Sequence, residues 1–125
     1  MSLEQVNTVD AMGIEVGTQQ AVLTIADSWD WSDEQSHLIA LQAKLNAYYE
    51  FIGSGQVWES YPAASNKKLR IDVVFRFPPT TLAIELLAMA SDIASRINVK
   101  IMQITHRGSL DEVALSTDAP LPDEG

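Results

Sequence analysis

The residues with the greatest potential for chemistry are acids and a histidine that recur at three-residue spacing early in the chain. In the segment Asp27-x-x-Asp30-x-x-Asp33-Glu34-x-x-His37, carboxylates and an imidazole could together hold a divalent cation. Asp33 and His37 are four residues apart, so a helix would place both on one face. The candidate metal ligands are therefore Asp30, Asp33, Glu34 and His37.

The same acids have a second interpretation, which we favour. Asp33 and Glu34 would lie in the first turn of a helix, where the helix dipole favours acids. The only other histidine of the sequence is His106, and the spacing matches neither a calcium loop nor a zinc helix motif. We therefore predict no metal and no cofactor. A metal-dependent or small-ligand enzyme that uses this cluster is kept as the alternative function.

Other catalytic signatures are missing from the sequence. No serine lies in a Gly-x-Ser-x-Gly elbow, and no Gly-x-Gly-x-x-Gly or phosphate-binding loop is present. The chain has no cysteine, which excludes a thiolate nucleophile, a disulfide and a cysteine-ligated metal. We therefore predict no catalytic residue.

The charge of the 125-residue chain is unevenly distributed. The net charge of −9 divides into −7 over residues 1–43, +3 over residues 44–107 and −5 over residues 108–125. Nucleic-acid binding needs basic groups that displace counterions from phosphates, and anionic membrane surfaces also attract basic groups. We therefore expect neither a nucleic-acid partner nor a membrane. Because the sequence has no signal-peptide pattern and no apolar run of ~20 residues, we expect a cytoplasmic protein.

Hydrophobic periodicity predicts the elements that would position these residues. Two strands, over 9–16 and 21–26, are separated by a short polar loop, which indicates a hairpin. Ser32 is the expected N-cap of a helix that runs to about residue 52. Residues 56–61 fit either a short strand or an irregular segment. The buried stripe expected for this first helix consists of Leu38, Leu41, Leu45, Tyr48, Tyr49 and Ile52.

The second half of the chain continues with a strand over 69–77, a helix over about 80–97 and a strand over 99–105. The order ββαβαβ predicts an α+β fold, a two-layer sandwich in which two helices cover one face of a mixed four-stranded sheet. Residues 1–105 would form a single domain. Residues 106–125 would form an acidic C-terminal tail that is partly disordered.

The second predicted helix carries more apolar surface than one sheet contact requires. Its expected inner stripe is Leu82, Leu86, Met89, Ile93 and Ile97. The apolar arc spans roughly 220°, against the ~100° that a helix lying on a sheet needs. Ile84 and Leu87 lie off the expected inner stripe, so either the first helix or a second subunit would cover them.

The possible interaction surface also includes aromatic residues of the connectors and basic residues of the third strand. The aromatic residues would either cap the core or form a binding patch, and the basic residues would either be solvated or dock an acidic segment such as the chain's own tail. The complete predicted surface is Trp29, Trp31, Trp58, Tyr61, Arg70, Arg76, Ile84 and Leu87.

Several segments resemble a known family. They include His37-Leu38-x-x-Leu41-Gln42-x-Lys44-Leu45-Asn46-Ala47-Tyr48, Ile71-Asp72-Val73-Val74-Phe75 and Phe77-Pro78-Pro79. Over about residues 5–105 the chain is similar to a family of small uncharacterised bacterial proteins, a domain of unknown function. The resemblance implies one compact cytoplasmic domain and supplies no activity.

Taken together, these patterns favour a small non-catalytic interaction or regulatory module. Its partner would be a second copy of itself, as a homodimer, or another protein. An antitoxin- or immunity-like role is one form of this hypothesis, because an acidic protein is suited to neutralising a basic partner.

Overall fold

Four strands form one mixed sheet in the computed structural model, which describes Leu3 and residues 8–105. The strands are β1 (Ala11–Glu15), β2 (Gln20–Asp27), β3 (Leu69–Phe75) and β4 (Val99–Thr105), in the spatial order β1-β2-β3-β4. β1 pairs antiparallel with β2, whereas β2, β3 and β4 are parallel. The predicted α+β class with a mixed four-stranded sheet is therefore confirmed. The predicted acidic tail lies outside the described residues.

Within residues 8–105, three helices accompany the sheet, one more than predicted. They are α1 (Glu34–Gly53), α2 (Gln56–Ser60) and α3 (Thr81–Ser95), and a single 3-10 turn follows at Pro62–Ala64. α2 replaces the strand or irregular segment that was considered for residues 56–61. Gly55 precedes α2 with a φ of 84°, a left-handed conformation that glycine adopts without a steric penalty. None of the helices within the described part of the chain has the length and apolar character needed to span a membrane.

The start of α1 differs from the predicted cap. Asp33, not Ser32, is the N-cap residue, and its carboxylate accepts a hydrogen bond from the Ser36 backbone N–H at 3.2 Å. The Ser32 hydroxyl instead donates to Asp30 Oδ1 at 2.7 Å. The aspartate is the better cap here because its charge also interacts favourably with the helix dipole.

The core is built on one face of the central strands. In β2 the buried residues alternate with half-buried ones, and each buried residue pairs with a buried residue of β3, as Leu23 does with Ile71. This period of two is the pattern that predicted both strands. The side chains that α1 buries against this core are His37, Leu41, Lys44, Leu45, Tyr48 and Ile52. Leu38 and Tyr49, predicted to be buried, are only half-buried. The polar residues His37 and Lys44 are fully buried instead.

The inner face of α3 is not the predicted one. The buried residues are Ala83, Leu87, Ala90 and Ala94. The large residues of the predicted inner stripe, apart from the half-buried Leu86, are exposed, by 65% for Met89 and 46% for Ile93. Small alanine side chains let the helix backbone approach its neighbours closely, and the Tyr49 hydroxyl of α1 donates to the Ala90 carbonyl at 3.0 Å. Leu87, expected on an interaction surface, is thus a core residue.

This orientation of α3 predicts opposite results for two truncations in the same helix. Leu87→Ala should lower the free energy of unfolding by about 2–4 kcal/mol, because it removes a buried side chain and leaves a cavity. Met89→Ala should change it by no more than about 0.5 kcal/mol, as surface substitutions usually do. Urea unfolding of both variants measures the difference. A larger loss for Met89→Ala than for Leu87→Ala would contradict the orientation.

Candidate functional site

A buried histidine–aspartate pair lies where β2 ends and α1 begins. Asp27 is the last residue of β2, and His37 lies in the first turns of α1. His37 Nε2 is 2.6 Å from Asp27 Oδ2, and His37 Nδ1 is 2.8 Å from the Asp30 carbonyl oxygen. His37 is 1% exposed and Asp27 is 2% exposed. Both ring nitrogens are therefore occupied, and the pair is shielded from water.

Hydrogen-bond chemistry limits where the protons of the His37–Asp27 pair can lie. A carbonyl oxygen only accepts, so Nδ1 of His37 carries a proton and donates it to the Asp30 carbonyl. A second proton must then lie between Nε2 and Asp27, either on the carboxyl or on the imidazole. In both arrangements the pair as a whole is neutral, which reduces the cost of burying it. Burial raises the pKa of Asp27, although the hydrogen bond with His37 acts in the opposite direction.

Two tryptophans enclose the imidazole. The ring of Trp31 stacks on His37 with 3.6 Å between centroids and 16° between planes, and the ring of Trp29 lies 5.5 Å away at a tilt. The backbone N–H of Trp29 also donates to Asp27 Oδ1 at 3.1 Å. Both tryptophans are half-buried and pack against the core. They cover the pair, which accounts for part of the aromatic surface predicted for binding.

The other acids of the candidate metal cluster serve the local structure. Asp30 accepts from the backbone and hydroxyl of Ser32, and these hydrogen bonds lower its pKa. Asp33 caps α1, and Glu34 lies in the first turn. Within the described residues, no three histidine, aspartate or glutamate side chains come together in a way that could hold a metal ion.

A second buried polar cluster joins the segment before β1 to α1. Lys44 Nζ donates to Asp10 Oδ1 at 2.9 Å and to the Thr8 carbonyl at 2.7 Å, with both charged side chains at most 1% exposed. Asp10 Oδ2 accepts from the Ala26 backbone N–H at 2.8 Å. The Tyr48 hydroxyl donates to the Thr24 carbonyl and accepts from the Asp10 N–H. Its burial raises the pKa of Tyr48.

The sequence interpretation missed this cluster, although one signal pointed to it. Lys44 falls on the buried stripe of α1, next to Leu41, Leu45 and Tyr48. A lysine at such a position requires an internal partner, because lysine is almost never fully buried unless it is paired. The identity of that partner could not be inferred, since Asp10 is 34 residues away in the sequence.

The two arginines predicted for the interaction surface, Arg70 and Arg76, differ in their environments. Arg70 donates to Asp72 at 2.8 Å and to Glu15 at 2.9 Å, on the sheet face opposite the core residues. The bond from Arg70 lowers the pKa of Glu15 to about 2, and these partners raise the pKa of Arg70. Arg76, which follows β3, is exposed. Arg70 is thus engaged in ion pairs within the chain, and Arg76 is open to solvent.

A cleft of about 680 Å³ opens beside the second half of α1. Tyr61 (39% exposed) contributes to its wall. Of the described residues that line the cleft, Glu50 is the one carboxylate, and the Tyr48 hydroxyl is already bonded to Thr24 and Asp10. The half-buried Trp58 packs against the core from α2. The cleft therefore offers a concave surface without a cluster of ionisable groups.

Among the described residues, exposed large apolar side chains are most numerous on α3 and the turn that follows it. We define the α3 stripe as Leu82, Leu86, Met89, Ile93 and Ile97. Leu82 is 51% exposed, Ile97 is 38% exposed, and Leu86 is half-buried. Ile84, for which coverage by the first helix or by a second subunit was expected, is 47% exposed on another side of the helix. Contiguous apolar surface of this kind marks interaction sites in many soluble proteins.

The raised pKa of Asp27 predicts how stability depends on pH. The folded state holds the Asp27 proton more tightly than the unfolded chain does, so this group stabilises the fold at low pH. That contribution is lost as the pH rises through the folded-state pKa. In Asp27→Asn, the amide would donate to His37 Nε2 without an ionisable proton. As the pH rises, the unfolding free energy of Asp27→Asn should therefore fall less than that of the unmodified protein. An identical pH profile for both proteins would contradict this assignment.

The Lys44–Asp10 pair predicts a large effect for a single charge removal. Lys44→Met should cost about 3–5 kcal/mol, because it leaves the Asp10 carboxylate buried without its cation. Adding Asp10→Asn should recover part of this loss. Lys100→Met, at an exposed position of β4, serves as the control and should change stability by about 0.5 kcal/mol or less. Thermal and urea unfolding provide the measurement. A loss no larger than that of the control would show that the pair is unimportant.

Comparison with known proteins gives a family but no activity. No curated protein and no solved structure matches the chain. A family model described as a family of unknown function (DUF6572) matches residues 1–107. That match covers most of the chain, including every strand and helix described above, and it agrees with the resemblance to an uncharacterised domain family. The chain therefore belongs to this family of unknown function, DUF6572.

Proposed function

We propose that the protein is a small interaction module that binds another polypeptide through the α3 stripe. The observation that carries the proposal is the orientation of α3, which turns its alanines inward and leaves Leu82, Met89 and Ile93 between 46% and 65% exposed. Burying apolar side chains of this size against a partner contributes roughly 25 cal/mol per Å² of apolar surface.

The position of the polar groups supports the same proposal. The side chains best suited to chemistry, His37 with Asp27 and Lys44 with Asp10, are buried and hydrogen-bonded to one another. A metal-dependent or small-ligand enzyme that uses His37 has less support. Both ring nitrogens of His37 already have partners, and Asp33 is occupied as a helix cap.

The proposal is compatible with the two-layer arrangement expected from the sequence, which we also infer. In this arrangement α1 and α3 lie on one face of the sheet. The support is that the buried residues of β2 and β3 share one face, and that parallel crossovers are nearly always right-handed. Two successive crossovers in the same direction, β2 to β3 to β4, then place both helices on that face.

Site-specific photocrosslinking in cells that make the full chain tests the proposed function. A photoreactive amino acid replaces Met89 in the stripe or, as a matched control, the exposed Ser91 on another side of α3. We expect a covalent adduct with a protein from position 89 and at least several-fold less adduct from position 91. Equal or undetectable adduct at the two positions would overturn the proposed function.

A further inference from the structure

The spacing of the α3 stripe is typical of a helix that pairs with another helix. Leu82, Leu86, Met89 and Ile93 follow one another at intervals of four, three and four residues. This alternation keeps one apolar seam facing a partner helix, as in coiled coils and helix bundles. The seam lies beside the inward-facing alanines, so it is additional to the surface that α3 uses for its own core.

Charged residues border the seam on its outer side. At roughly 100° per residue, Glu85, Asp92 and Arg96 occupy one sector next to the stripe and away from the buried face. Arg96 donates to Asp92 at 3.0 Å, and both side chains are about 70% exposed (73% and 69%). Glu85 lies near the start of α3 and Arg96 lies at its end, so the ends of this border have opposite charge.

This distribution selects the occupant of the seam. A parallel copy would turn the charged border of each helix towards the opposite flank of the other helix, where α3 packs into its own core, so Glu85 would not meet Arg96. An antiparallel copy would place Glu85 of each chain beside Arg96 of the other. Acidic segments, including residues 108–125 of this chain with their net charge of −5, would instead meet Glu85 and Asp92.

We infer that the α3 stripe binds the α3 stripe of a second copy of this chain, antiparallel and about a twofold axis. The inference rests on the proposed function and names its partner. In this arrangement Leu86 of one copy packs near Ile93 of the other, the two Met89 side chains meet near the axis, and Glu85 reaches Arg96 at both ends. A twofold contact of this type is self-complementary and closes as a dimer.

The size of the contact predicts its strength. The 15 residues of α3 span about 22 Å, and one pair of such helices buries less than the ~1,200–2,000 Å² of a typical stable interface. We therefore expect a dimer with a dissociation constant on the order of 1–100 µM. Sedimentation equilibrium of the full chain from about 1 µM to about 1 mM would follow its formation.

Two substitutions in α3 locate the contact. Met89→Glu puts a charge at the centre of the seam and should weaken dimerisation at least tenfold. Ser91→Glu, a matched addition of charge at an exposed position outside the seam, should leave dimerisation within about twofold, as expected for a distant surface charge. A dimer that persists in Met89→Glu would overturn the inference, since its contact would lie elsewhere.

Charge reversal tests the antiparallel order. Glu85→Arg alone and Arg96→Glu alone each place like charges together twice in the homodimer, so each should dimerise about threefold to tenfold more weakly. An equimolar mixture of the two variants should form a heterodimer at least as well as the unmodified chain forms its homodimer, because both contacts then join opposite charges. Failure of the mixture to recover association would overturn the antiparallel order.

The outcomes separate this inference from the proposed function. Adducts from position 89 that have twice the mass of the chain, together with a dimer in sedimentation, support both. A monomer at every concentration, with position 89 crosslinked to a different protein or within its own chain, overturns the second copy as partner. A different protein as the adduct would still support the proposed function. Absence of any specific adduct, together with a monomer, overturns both.

Discussion

The fold depends on satisfying the edge of β2 that extends beyond the first residue of β1. β1 begins at Ala11 opposite Thr24, so the Ala26 N–H lies beyond the residues that pair with β1. Asp10 accepts a hydrogen bond from the Ala26 N–H, the Tyr48 hydroxyl donates to the Thr24 carbonyl, and Lys44 neutralises the Asp10 carboxylate. An unsatisfied backbone group or an unpaired charge at this depth would cost several kcal/mol. This requirement ties the N-terminal segment, the sheet and α1 together.

A second polar contact fixes the beginning of the same helix. The His37–Asp27 pair holds the first turns of α1 against the end of β2, and Lys44 and Tyr48 hold its middle. The orientation of α1 is therefore set by directional hydrogen bonds as well as by its apolar stripe. The buried ionisable groups of these two clusters are engaged in positioning a helix, and the proposed function uses the exposed side of α3 instead.

Sequence patterns correctly located the elements that have a single apolar face. They did not identify the inward face of α3, where two apolar faces were possible. The alternation from Leu69 to Phe75 and the long stripe of α1 each allow one inward face, and both elements were located. α3 has an alanine face and a face of large residues, and periodicity does not distinguish between them. The inward face depends on how closely the neighbours approach, as shown by the Tyr49–Ala90 contact. The acids from Asp30 to Glu34 fitted both capping and metal binding, and only the geometry of His37 separates the two uses.

The topology of the sheet has a consequence for how the chain folds. Among the described strands, only β1 and β2 are close in sequence, whereas Ala21 of β2 pairs with Leu69 of β3, 48 residues later. Folding slows as the separation between contacting residues grows, because loop closure costs entropy before the contact forms. The β1–β2 hairpin and α1 can form from local contacts, while the β2–β3 pairing must await the collapse of the intervening segment. The joining of these two strands is therefore the expected rate-limiting event in folding.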